Sequence, residues 1–227
     1  MSLSHHHPSE DALLAYAAGT LDEATSVLIA THLSLCPACR ATMRAAEEIG
    51  GELMETIRPA VSVATSVDDI LKWVEHDPVT LHRDVRHGPA RNGRPANRAD
   101  TLLPEPLRSY VEGDLDSLKW QWMGPGVRYV RIFGDEDGAK VGLMKIASGT
   151  RMPNHGHAGE EFTMVLAGGY RDAMGSYRRG DVEVADSDVV HQPVADNDGD
   201  CICLVVTRGA LRPTGLFAKA LQPLMRM

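Results

Sequence analysis

The stretch GTRMPNHGHAGEEFTMVLAG, residues 149–168, decides how the C-terminal half of this chain folds. Gly149 and Gly168 bracket it, and His155, His157 and Glu161 all stand at odd positions. Successive side chains of an extended segment alternate between faces, so these three share one face. Two imidazoles and a carboxylate on one face make a mixed nitrogen–oxygen donor set for a divalent ion. Glu160 is the competing carboxylate, but its parity is wrong for that face. Further on, the run GDVEVADSDVVH, 180–191, ends in His191, which another strand could bring in as a fourth donor.

Around this stretch lie short β-rich runs: KWQWM (119–123), VRYVRIF (127–133), KVGLMKIA (140–147), EFTMVLAGGY (161–170), DVEVA (181–185) and CICLVVT (201–207). Gly, Asp and Pro separate them, a rhythm that predicts an all-β sandwich or small barrel from about residue 101 to 227. Cys201 and Cys203 share a face of their strand. Burial as small hydrophobes is the commoner fate of such residues, with ligation or redox sensing as the alternatives.

Upstream the period is helical. Ser9 is placed to cap EDALLAYAA, which stops at Gly19, and Asp22 to cap EATSVLIATHLSL. Pro37 suits the first turn of a third helix running to about residue 57. Ser66 and Asp69 form a capping box for SVDDILKWVEH, 66–76. Residues 1–75 therefore predict an all-α bundle. Residues 76–100 carry Pro and Gly breaks and five arginines (Arg83, Arg86, Arg91, Arg94, Arg98), the composition of a linker, with contact to a partner or nucleic acid as the sharper alternative.

Within the bundle, HLSLCPAC (32–39) places His32 and Cys36 at i and i+4 on one helical face, with Cys39 following across Pro37. Two thiols and an imidazole suit zinc. A C-x-x-C redox pair is the rival, but it calls for a βαβ setting that the sequence lacks. The run His5-His6-His7 offers a fourth ligand, and His7 lies 25 residues before His32.

Charge bounds the function. The chain of 227 residues carries a net charge of −8, which disfavours nucleic-acid binding of the basic kind. Through residue 57 the bundle holds eight acids (Glu10, Asp11, Asp22, Glu23, Glu47, Glu48, Glu52, Glu55) against Arg40 and Arg44. The longest apolar run, CICLVV at 201–206, is strand-length rather than membrane-length, and no apolar signal core opens the chain. These features predict a cytoplasmic protein with no membrane partner, whose four cysteines stay reduced.

Two resemblances follow from these motifs. Residues 149–168 resemble the first cupin motif at every defined position, and 180–191 resemble the second, with Asp186 and Asp188 where Pro and Gly are usual and Ala195 where many cupins have Asn. That likeness implies a double-stranded β-helix barrel with His155, His157, Glu161 and His191 around one divalent metal, zinc foremost, with manganese, iron and nickel also accepted. The order His7, His32, Cys36, Cys39 in a small acidic helical domain resembles the zinc-binding anti-sigma factors. Joined to a cupin, it resembles their ChrR type, through DALLAYAAGTL (11–21), ATHLSLCPAC (30–39), both cupin motifs and DCICLVVT (200–207). This family's spacing favours His7 over His6. The resemblance implies a regulator rather than an enzyme, one that binds and inhibits an extracytoplasmic-function sigma factor. Release would run through the cupin on singlet-oxygen-type stress, with a small molecule or reactive oxygen as the signal. The alternative is a metal-dependent cupin enzyme, a dioxygenase or small-molecule hydrolase or lyase, with a helical interaction domain.

Overall fold

The computed structural model describes residues 4–58, 66–76, 102–111, 113, 115–134, 138–209 and 211–213. The expected linker lies outside the described residues except for His76. Among the described residues five helices come first: α1 (Glu10–Ala17), α2 (Glu23–Leu35), α3 (Pro37–Thr56), α4 (Val67–His76) and α5 (Glu105–Arg108). Their starts follow local chemistry. The Ser9 hydroxyl accepts from Ala12 N–H, Asp22 accepts from Thr25 N–H, and Pro37 opens α3. Ser66 and Asp69 exchange hydrogen bonds reciprocally at the start of α4.

Twelve strands follow among the described residues: β1 (Gln121–Gly124), β2 (Val127–Gly134), β3 (Lys140–Ile146), β4 (His155–His157), β5 (Glu161–Ala167), β6 (Gly169–Arg171), β7 (Ser176–Arg178), β8 (Val182–Ala185), β9 (Val190–His191), β10 (Val194–Ala195), β11 (Cys201–Thr207) and β12 (Leu211–Pro213). A six-stranded antiparallel sheet runs β1-β2-β3-β11-β5-β8, and two three-stranded sheets, β10-β6-β7 and β12-β4-β9, complete the barrel. Gly149 and Gly168, at the ends of the deciding stretch, have φ of 70° and 65°. A Cβ at Gly168 would stand 2.5 Å from the Asp200 carbonyl oxygen, so the turn into β6 requires glycine.

The sheet has two apolar faces. Tyr129, Met144, Val165, Cys201, Cys203 and Val205 face the barrel interior. Phe162, Met164, Leu166, Leu204 and Val206 face outward, where they form one core with Leu13, Val27, Leu28, Ile29 and Met43 of the helices. β11 is therefore buried at all seven positions, which explains why its sequence is continuously apolar rather than alternating. Helix α5 and its flanks open the half expected to be all β, ahead of its first predicted strand. Leu103, Leu107, Val111 and Leu115 recur every four residues, all buried, and pack into this same core. Polar contacts tie the edges: Arg208 pairs with Glu160 and with Asp22 at the cap of α2, and Tyr110 donates to Glu23.

Leu204 is fully buried between the two layers. Leu204→Ala is expected to cost about 2–5 kcal/mol, read by urea unfolding with circular dichroism. A loss below about 1 kcal/mol would contradict the shared core.

Candidate metal centres

In the barrel, β4 and β9 pair so that His155 sits opposite His191. All three histidines are buried, and their Nε2 atoms converge: His155 and His191 at 3.2 Å, His157 and His191 at 3.3 Å. The outer nitrogens of His155 and His191 are engaged. His155 Nδ1 lies 2.9 Å from the Pro153 carbonyl oxygen, which only accepts, so Nδ1 carries the hydrogen and Nε2 the lone pair. His191 Nδ1 lies 2.8 Å from Asp172 and 3.2 Å from Glu183. The His155 Nε2 lone pair therefore faces His191 Nε2, an arrangement that either a hydrogen on His191 or a shared cation satisfies.

Glu161 stands beside this trio rather than inside its tight cluster. Its Oε2 is 3.5 Å from His157 Nδ1, is buried, and has no hydrogen-bond partner, which leaves this oxygen free to accept a cation. Burial pushes this carboxyl up to about 7. Burial also pushes His157 down to about 4 and lowers His155, keeping both neutral as ligands must be. His191 moves the other way: burial opposes its charge, but the Glu183 and Asp172 carboxylates outweigh it. A small cavity of about 30 Å³ adjoins these groups, lined also by Met144, Met152, Tyr170, Glu183 and Cys203.

Asp172, Glu183 and Tyr170 were not among the residues expected from sequence. Glu183 lies in DVEVA, where alternation would send the acids to solvent and the valines inside. Instead Glu183 is buried and Val184 is exposed, because the barrel interior here is polar. The Tyr170 hydroxyl donates to Glu183, and Glu183 and Asp172 together form a carboxylate backing for His191. Glu160, the carboxylate of opposite parity, faces out and pairs with Arg208. Cys201 and Cys203 are both buried, their sulfurs 3.5 Å apart.

In the bundle, His7, His32, Cys36 and Cys39 form a second cluster. His32 Nε2 is 3.2 Å from Cys39 Sγ, and His7 Nδ1 is 3.5 Å from Cys36 Sγ and 3.4 Å from Cys39 Sγ. A tetrahedral zinc with ordinary Zn–N and Zn–S bonds would separate such atoms by about 3.5 Å, so the donors fit that ion. His6 lies elsewhere, its ring 4.5 Å from that of Tyr177. His32 Nδ1 donates to the Gly180 carbonyl at 2.8 Å, which fixes Nε2 as the free lone pair. Burial, more than the charges around it, pushes His32 down to about 4. Burial, then Cys36, pushes the Cys39 thiol up to about 12, so a thiolate there requires a cation.

Comparison with known proteins gives the same two parts. Residues 9–40 match a zinc-finger family, and residues 109–211 match the family described as ChrR Cupin-like domain. Anti-sigma-E factor ChrR of Cereibacter sphaeroides (strain ATCC 17023) is 40% identical over 222 residues, 98% of each chain. The chain belongs to the ChrR family of anti-sigma factors. A crystal structure of Rhodobacter sphaeroides SigE in complex with the anti-sigma ChrR is similar to this ChrR-family chain. It has 37% identity and a TM-score of 0.72, covering 90% of this chain and 99% of that one. No helix among the described residues is long and apolar enough to cross a membrane.

Zinc uptake by the bundle cluster must displace the thiol protons. Adding zinc to metal-free protein at pH 7 is expected to acidify weakly buffered solution, Cys39 alone contributing about one proton per ion. The affinity should fall as pH falls, because protons then compete for the sulfurs. Uptake with no proton release, followed with a pH indicator, would contradict thiolate ligation.

Proposed function

We propose that this chain is a cytoplasmic anti-sigma factor that binds an extracytoplasmic-function sigma factor with its helices and withholds it from RNA polymerase. The observation that carries this reading is an uncovered apolar stripe. Ile49 and Leu53 on α3, and Ile57 at its C-terminal cap, recur every four residues and each is more than 60% exposed; Val67, Ile70 and Leu71 on α4 are also exposed. Glu52 and, beyond it, Glu48 run along one side of the α3 stripe. A helix with an apolar row and an acidic border suits a partner that offers an apolar groove with basic edges. By contrast Leu13, Leu28 and Met43 serve the core, and Leu14 alone of that early group is half-exposed.

The bundle would hold zinc through His7, His32, Cys36 and Cys39, tying the N-terminal segment to α2 and α3. The barrel would hold a divalent ion, zinc foremost, with manganese, iron or nickel also suited, through His155, His157, Glu161 and His191. When bound, such an ion supplies a fixed positive charge and an exchangeable coordination position. The carboxylates of Asp172 and Glu183 orient His191, and the Pro153 carbonyl orients His155.

The reading extends to release on oxidative stress of the singlet-oxygen type. A cavity of about 30 Å³ admits a water-sized oxidant rather than an organic substrate, and it presents Met144, Met152 and Cys203, side chains that oxidants attack. The same small volume disfavours the enzyme alternative.

The double variant Leu53→Asp/Ile57→Asp is expected to weaken pull-down of the host's extracytoplasmic-function sigma factors at least 10-fold without disturbing the buried core. Cys36→Ser should weaken capture as well. Capture by the α3 double variant equal to that of the parent would sink the proposed interface.

A further inference from the structure

The turn from β7 into β8 reaches out of the barrel and grips the bundle's donor cluster. Its Gly180 carbonyl accepts the His32 Nδ1 hydrogen at 2.8 Å. The neighbouring Asp181, 1% exposed, accepts the backbone N–H of His5 at 2.6 Å and of His6 at 3.1 Å through Oδ1, and that of Arg178 at 2.7 Å through Oδ2. Val182 N–H then donates to the His6 carbonyl at 3.1 Å. The segment that carries His7 is thus held by barrel residues through its backbone. Gly180 has φ of +95°, a conformation that favours glycine, and its Cα side faces Ser4 of the N-terminal segment.

One residue further, the same strand serves the other site. Glu183 Oε1 lies 3.2 Å from His191 Nδ1, while its second oxygen accepts from Tyr170. Asp181 and Glu183 share a parity, and both are buried. β8 is also paired along its length to β5, whose first residue is Glu161. Groups that orient metal ligands from outside typically alter affinity 10- to 100-fold when removed. Four consecutive residues therefore orient ligands of both clusters.

We infer that the segment Gly180–Glu183 is a shared outer shell that couples the two metal sites, so that loosening the barrel end loosens the bundle's hold on its ion. This inference rests on the two donor sets proposed above. The coupling is reciprocal: whatever the barrel site does to the affinity of the bundle site, the bundle site returns by the same factor. It gives an oxidative event inside the barrel a direct physical route to the domain proposed to bind sigma.

The test uses the full chain loaded with cobalt(II), whose thiolate charge-transfer band reports the two-cysteine site, with Cys36→Ser as the blank. Decay of that band into excess chelator gives the release rate. Asp181→Ala and Glu183→Gln are each expected to speed release at least 10-fold, whereas Arg44→Ala at an exposed position of α3 should match the parent. A parental rate in Asp181→Ala overturns the barrel's brace on the bundle, and a parental rate in Glu183→Gln overturns the coupling. If either variant does not fold, Asp181→Asn and Tyr170→Phe carry the same comparison, and unchanged rates there overturn the inference. A parent chain that never develops the band would instead overturn the bundle's metal reading, and this inference with it.

Discussion

The structure depends on a six-stranded sheet that must be covered on both faces. The residues of β5 and β11 that point away from the barrel interior are as apolar as those that point into it. At roughly 25 cal/mol per Å², leaving Phe162, Met164, Leu166, Leu204 and Val206 in water would cost several kcal/mol. Leu28, Ile29 and Val27 of α2, together with Leu107 and its neighbours, cover them. Bundle and barrel thereby share one core among the described residues, and the N-terminal segment is drawn along the barrel wall to Asp181. Zinc-competent geometry in the bundle is a consequence, because His7 reaches the cysteines only from a segment held in that place.

The two clusters solve the same electrostatic problem differently. In the bundle, neutral His32 and a thiol whose ionisation is strongly opposed by burial are brought together, so an ion must supply the missing charge. In the barrel, the His155 lone pair meets the His191 ring at 3.2 Å and an unpartnered carboxylate oxygen lies beside them. Both arrangements can take a cation, and both are oriented from outside by groups bonded to the far ring nitrogens. This common arrangement, more than the identity of any single residue, supports reading both as metal centres.

Much of this was legible in the sequence. The caps at Ser9, Asp22 and Ser66, the Pro37 start and the glycine-bracketed His155–Glu161 segment each carry a local physical signal, and the structure follows them. The contacts made by His7 and His6 are different in kind: their separation depends on where a distant turn, Gly180–Val182, holds the backbone, and no spacing in the first ten residues encodes it. Glu183 and Asp172 were hidden for a related reason. An acid alternating with valines reads as solvent-facing unless the interior is known to be polar. Leu103, Leu107, Val111 and Leu115 do show a helical spacing, but the surrounding strand rhythm masked it. The uninterrupted apolar run of β11 was visible as a strand, whereas its meaning, a second layer on the sheet's outer face, emerges only when the helices are placed.

The most direct measurement is native mass spectrometry of the full chain co-expressed with the extracytoplasmic-function sigma factors of its host. The expected species contains one chain, one sigma factor and two divalent metal ions. A chain that carries no sigma factor, or that holds fewer than two metals, would contradict the account.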